Sequence, residues 1–278
     1  MQPKIDPPRQ HTDGRLWEKV TTAYREAAGV PATALAGSNA RTEAARVTTE
    51  ARARSSKRSA LPVDLYVDPV CPYTWLAACW LRVVEKHRDI DLQYHPMSLS
   101  MLNEQRTVDP GYRAHLEIAV GPSRIGTAVW LLSGPDAFRA WHTSFGSIIF
   151  DRWRYPSRHQ YRTAAARALE VNRLPKGLID AVDTEKYDEP LRQSHLEGTL
   201  PVGVDGGTPV IHLTGAAYFG PVLNAIPTTD EALDLFDGLA LLAGCRDFFE
   251  LKRSRTSPPT FAGSGRDICN TSDRGDRA

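Results

Sequence analysis

DPVCPYTW, Asp68 to Trp75, is the stretch on which the reading of this chain turns. It closes PVDLYVD (Pro62–Asp68), where Val63, Leu65 and Val67 alternate with Asp64, Tyr66 and Asp68, the period of two that marks a strand. It opens a run in which Trp75, Leu76, Cys79, Trp80, Val83 and Val84 recur every three or four residues, which predicts a helix with one buried stripe. Cys71 therefore falls on a strand-to-helix turn, with Pro72 at the first helical position, where a missing N–H costs nothing. The free amides and the positive end of the helix dipole favour thiolate over thiol, so a pKa below the ~8.5 of free cysteine is expected. One turn on, where a dithiol motif would place its second cysteine, stands Thr74. Its hydroxyl can donate to a Cys71 thiolate but cannot resolve a mixed disulfide, so release needs an outside thiol. The plainer alternative for a lone cysteine is a small buried hydrophobe.

Outward from this turn, IDLQYHPM (Ile90–Met97) reads as a second strand and completes a βαβ unit. Residues 110 to about 203 carry helical patterns separated by Gly and Pro: GYRAHLEIAV, PDAFRAWHTSFGSIIFDRW, SRHQYRTAAARALEVNRL and TEKYDEPLRQSHLEG. TPVIHL (Thr208–Leu213), a Thr214-Gly215 turn and AAYFGP (Ala216–Pro221) predict an antiparallel hairpin. TTDEALDLFDGLALLAG closes the block as a helix capped by Thr228 or Thr229, with an acidic first turn. The order is βαβ, helical insertion, ββα, an α/β class, over residues 61–253.

The flanks differ. Residues 1–60 are rich in Ala, Thr, Ser and Arg, and their eleven basic residues against six acidic ones leave little to pack, so a mostly disordered extension is expected. Within it, Leu16 to Ala28 has a short amphipathic pattern, and the basic cluster Ala51–Arg58 reads as a solvated linker. From Ser254 to Ala278 the chain reads as a second loose tail.

A 41% hydrophobic content supports a core, and a net charge of +1 gives no electrostatic case for nucleic acid or an anionic membrane as partner. No run approaches the roughly 20 apolar residues of a membrane span and the N-terminus lacks a secretory core, which points to a cytoplasmic protein. Four cysteines are too few for a disulfide scaffold. Cys71 and Cys79 on one helix lie about 12 Å apart along its axis, beyond the roughly 7 Å a bridge tolerates, so no structural bridge is expected. The histidines show no zinc-ligand spacing, and His95 and His212 read as core histidines in strands. With no glycine-rich nucleotide motif either, no metal or flavin is expected.

DPVCPYTW, HPMSLSMLNEQR (His95–Arg106), GPSR (Gly121–Arg124), GGTPVIHL (Gly206–Leu213), YFGPVL (Tyr218–Leu223) and FFELKRSRTSPP (Phe248–Pro259) are collinear. Together they resemble the DsbA-family thioredoxin-like proteins of actinobacteria, close to the mycothiol-dependent nitroreductase group. The resemblance implies a DsbA-type thioredoxin-like fold with the helical insertion between its two halves. It implies that Cys71 is the attacking cysteine, with Thr74 beside it, and that Thr208-Pro209 is a cis-proline loop lying against the sulfur. Pro72, Tyr73, Asn103, Tyr112, Thr208 and Pro209 would then line a thiol and substrate pocket. Its cofactor would be a low-molecular-weight thiol, mycothiol or glutathione, and its partners that thiol and a small electrophile such as a nitro compound, or a protein disulfide; a homodimer is compatible with the resemblance. Two departures bear on activity: Thr74 replaces the second cysteine of dithiol members, and Phe150 stands where relatives are expected to have histidine. The alternatives are a kappa-class-like glutathione or mycothiol transferase or isomerase, and a degenerate DsbA-like binding module without turnover.

Overall fold

The computed structural model describes residues 60–152, 156–203 and 205–261. The N-terminal extension as far as residue 59, with its amphipathic stretch and basic cluster, and the tail beyond Phe261 lie outside the described residues.

A four-stranded sheet forms the centre, in the order β2-β1-β3-β4. Strand β1 (Leu61–Val67) pairs in parallel with β2 (Ile90–Pro96) and antiparallel with β3 (Val210–Leu213), which turns back into β4 (Ala216–Phe219). Thr214 and Gly215 make that turn with φ of 53° and 83°, the pair of positive φ values a tight hairpin of this hand needs. Helix α1 (Pro72–Val84) links β1 to β2. The insertion holds α2 (Leu99–Leu102), α3 (Pro110–Ser133), α4 (Pro135–Arg152), α5 (Arg158–Val171), 3-10 turns at Lys176–Asp183 and Glu185–Tyr187, and α6 (Asp188–Thr199). Helix α7 (Thr229–Ala243) is the last element among the described residues, its start braced by the Glu231 carboxylate, which accepts from both the amide and the hydroxyl of Thr228. A βαβ half and a ββα half on one sheet, with helices inserted between them, is the thioredoxin-like fold in its DsbA form.

Two local readings change. Helix α1 buries ten of its thirteen residues, not one stripe, because it is covered from more than one side. The Trp80 indole donates to Ala232 O of α7 at 2.9 Å. On another side, α4 comes so close that a Cβ on Gly146 would stand 2.2 Å from the Trp75 ring. The second change is at Gly121-Pro122, which reads as punctuation but lies inside the 24-residue α3. A Cβ on Gly121 would stand 2.7 Å from Val182; this glycine admits the neighbouring 3-10 turn and does not end a helix.

Candidate active site

Cys71 is the N-cap of α1, in extended backbone, with Pro72 next to it at the first helical position. Its Sγ lies 3.8 Å from the carbonyl oxygen of Thr208, and the Thr208-Pro209 peptide bond is cis. Thr74 and Thr208 bring their hydroxyl oxygens to 2.8 Å of each other, both side chains buried. The β1–α1 turn and the loop before β3, 137 residues apart in sequence, thus meet at the sulfur.

The electrostatics run against the expected low pKa. The Thr74 hydroxyl and the amides of Thr74 and Tyr73 do act to stabilise the thiolate, as a helix N-terminus should, although Cys71 makes no side-chain capping hydrogen bond. Burial outweighs them. Cys71 is only 3% exposed, and burial, with a smaller contribution from the Asp68 charge, pushes the thiol up to about 11. In this conformation Cys71 is a protonated thiol at neutral pH, which corrects the expectation of a ready thiolate.

Asp68 was not singled out from the sequence. It is 1% exposed at the end of β1, where its carboxylate accepts from the amides of Val70 at 2.7 Å and Leu99 at 2.6 Å and from the Ser123 hydroxyl at 3.5 Å. Burial nevertheless raises its pKa to about 6. The available signal was an acid at a position where the strand is turning into the core.

Among the other expected pocket residues, Tyr112 lies in the first turn of α3, 37% exposed, and its phenol is held above its ordinary pKa by burial and by Asp68 and Cys71. Asn103 is the C-cap of α2 and donates its side-chain amide to Leu99 O at 2.8 Å, the work of a turn residue. Tyr73 has the Arg255 guanidinium 5.0 Å from its ring centre. That contact belongs to a segment read as a loose tail. Up to Phe261 it is tied down: Asn224 donates to Ser257 at 2.8 Å, Thr260 N donates to Asn224 O at 2.7 Å, and Phe261 stacks on Phe150. Phe150 stacks in turn on Trp75, so the place expected for a histidine is part of an aromatic sandwich that extends from α1 to the tail.

Cys245 is an exposed free thiol, whereas Cys79, fully buried on α1 beside Trp75, Phe150 and Phe261, is disulfide-bonded. This corrects the expectation of no structural bridge; the spacing to Cys71 could exclude only that one partner. His95 bonds Asp64 at 2.8 Å and His212 bonds Gly198 O at 3.1 Å, as satisfied sheet histidines.

Residues 70–253 match the Rv2466c-like family, described as mycothiol-dependent nitroreductase Rv2466c. The chain belongs to this family. It is 24% identical over 194 residues to the uncharacterized protein Rv2286c of Mycobacterium tuberculosis, covering 70% of this chain and 82% of that protein. Among solved structures, a 2-hydroxychromene-2-carboxylate isomerase superposes with a TM-score of 0.45 at 12% identity, covering 66% of this chain and 96% of the other. The cytosolic disulfide reductase DsbM from Pseudomonas aeruginosa superposes with a TM-score of 0.40 at 17% identity, covering 66% and 100%. Family membership supports, at the level of class, a thiol-dependent oxidoreductase or isomerase. Among the described residues no group of three or more His, Cys, Asp or Glu is placed to hold a metal, and no helix is long and apolar enough to cross a membrane.

Proposed function

We propose that the protein is a monothiol oxidoreductase in which Cys71 alternates between a free thiol and a mixed disulfide with a low-molecular-weight thiol of the mycothiol type, its electrons reducing a small electrophile such as a nitro compound. One observation carries this: the Cys71 sulfur lies at the start of α1 facing the Thr208 carbonyl, with a hydroxyl at position 74 in place of a second thiol. The site suits a cysteinyl thiol. The carbonyl that faces the sulfur can accept an amide N–H from such a molecule, as an added strand would donate it. Tyr73 and Tyr112 supply aromatic and phenolic surface beside it. Thr208 can donate its hydroxyl proton to Thr74, leaving Thr74 free to donate to sulfur. With no thiol at position 74, the mixed disulfide persists until a second thiol molecule cleaves it.

A second reading is favoured by the raised pKa of Cys71. A protonated Cys71 can donate its S–H to a bound cofactor thiolate and activate it without being oxidised, as a transferase or isomerase would require. Turnover of a nitro compound with mycothiol as reductant separates the two. Loss of activity in Cys71→Ser supports the mixed-disulfide route. Retention of activity supports the second route, because a serine hydroxyl can still donate to a thiolate.

A further inference from the structure

The Trp75 indole is seated across successive turns of α4. His142, Gly146 and Phe150 recur every fourth residue on that helix and all face it. The His142 ring centre lies 6.3 Å from the indole, a Cβ on Gly146 would stand 2.2 Å from it, and the Phe150 ring stacks on it at 5.9 Å with an interplanar angle of 24°. Trp75 and Cys79, one turn further along α1, are buried, so this floor is fixed by two packed helices. The outermost ring of the stack has a different origin. Phe261 lies on Phe150 at 5.4 Å and 30°, and together with Phe150 and Ile226 it packs against Trp75 and Cys79. It comes from the segment after α7, where no helix or strand follows among the described residues. The ties beside it converge on Asn224, whose side-chain amide donates to Ser257 O and Oγ at 2.8 Å and whose backbone oxygen accepts from the Thr260 amide at 2.7 Å. The Asn224 Oδ1 is buried without a partner, an unfavourable state that water relieves when the segment lifts. A rigid aromatic floor is thus covered by a ring on an irregular, incompletely satisfied segment.

We propose that the seat of Phe261 is a binding site for a flat, uncharged, electron-poor arene, which displaces Phe261 from it. The seat already holds a phenyl ring, and the side chains around it, Trp75, Cys79, Phe150 and Ile226, carry no charge. The faces of indole and phenyl are electron-rich, so a ring depleted of electrons stacks on them more favourably than phenylalanine does. Trp75 N donates to Cys71 O at 3.1 Å, which puts the floor one helical turn from the residue that bears the sulfur. The proposal rests on the reading of a small electrophile as substrate and adds its class and its seat. Phe261 then sets the apparent affinity, because the arene binds the fraction of molecules in which the seat is open.

The test uses the full chain carrying Cys71→Ser, so that no covalent chemistry contributes, and equilibrium dialysis of m-dinitrobenzene. Phe261→Ala is expected to tighten the dissociation constant about three- to tenfold. Thr260→Pro keeps the ring but removes the N–H that ties it to Asn224, and is expected to tighten binding about twofold or more. An unchanged constant in Phe261→Ala overturns the proposal, as does the absence of saturable binding in that variant. Nitrocyclohexane, which has a nitro group but no flat ring, should gain nothing from Phe261→Ala; a gain equal to that of m-dinitrobenzene overturns stacking as the basis. Should Phe261→Ala not fold, Thr260→Pro decides, and an unchanged constant there overturns the proposal. Because Cys71 takes no part in the measurement, failure here leaves the mixed-disulfide reading standing, and failure of Cys71 to form an adduct leaves the arene site standing.

Discussion

His142 is buried on α4 between Trp75, Tyr94 and Phe138, and its Nδ1 has no hydrogen-bond partner. Burial, with the Arg82 charge adding to it, lowers its pKa from 6.5 to about 3. His195 on α6 is lowered to about 4, again chiefly by burial. Because both folded pKa values lie below the unfolded one, the unfolded chain binds more protons between them and stability falls as the pH drops through 6.5. From pH 7 to pH 5 each histidine costs ~2 kcal/mol. Asp68 acts in the opposite sense: its folded pKa of about 6 lies above the ordinary 3.8, so it returns ~1 kcal/mol over the same interval. These three groups together predict a net loss of ~2–3 kcal/mol, a sizeable part of the ~5–15 kcal/mol of a typical domain. The perturbation is His142→Leu, which keeps an apolar side chain of similar size in the aromatic cage. Urea unfolding followed by tryptophan fluorescence at pH 7 and pH 5 gives the two stabilities. The variant should lose ~2 kcal/mol less than the unmodified protein on going to pH 5. An undiminished pH dependence in His142→Leu would refute the reasoning, since it would mean that the imidazole is already solvated or paired in the fold.

Three further outcomes follow from the packing around Cys71. Gly146→Ala gains up to ~1 kcal/mol of helix propensity, but it drives a methyl into the buried Trp75 ring. Since overpacking costs ~1–3 kcal/mol or more, a lower urea midpoint is expected, and an unchanged or higher one would show that α4 shifts freely. Thr74→Cys restores a second thiol one turn from Cys71, so a mixed disulfide on Cys71 should discharge into an internal disulfide, seen as loss of the adduct by intact mass without added thiol; a persistent adduct contradicts this. Arg255→Ala removes a cation–π contact worth ~0.5–1 kcal/mol that helps to hold the tail beside Tyr73. Alkylation of Cys71 should quicken about two- to fivefold, and an unaltered rate would show that the tail does not limit access.

What could be read from the sequence was what neighbours in sequence decide. The alternation in Pro62–Asp68, the Cys-Pro helix start, the Thr214-Gly215 turn and the Thr228 start of the last helix each depend on a few adjacent residues, and each is where it was expected. The burial of α1 on more than one side could not be read so, because α4 and α7 supply the covering faces. Gly121-Pro122 misled for the same reason: the glycine answers to Val182 across the interface, not to its own helix. Asp68 sat in the quoted motif, but its partners Leu99 and Ser123 come from 31 and 55 residues away. The thiol's pKa shows the division most sharply. The helix-terminus effect that favours thiolate is local and was foreseen, whereas the burial that exceeds it is a property of the assembled fold. The tail's attachment through Arg255, Ser257, Thr260 and Phe261 likewise depends on Tyr73, Asn224 and Phe150, which no periodicity in the tail reveals.

The central claim is that a lone sulfur at the start of α1 forms a mixed disulfide and, with a hydroxyl at position 74, holds it. The direct measurement is intact mass after incubation with oxidised mycothiol, or with oxidised glutathione, followed by peptide mapping. The account predicts one adduct on Cys71 that is absent from Cys71→Ser and stable until free thiol is added. No adduct at Cys71 with either disulfide, while the exposed Cys245 still reacts, would contradict it.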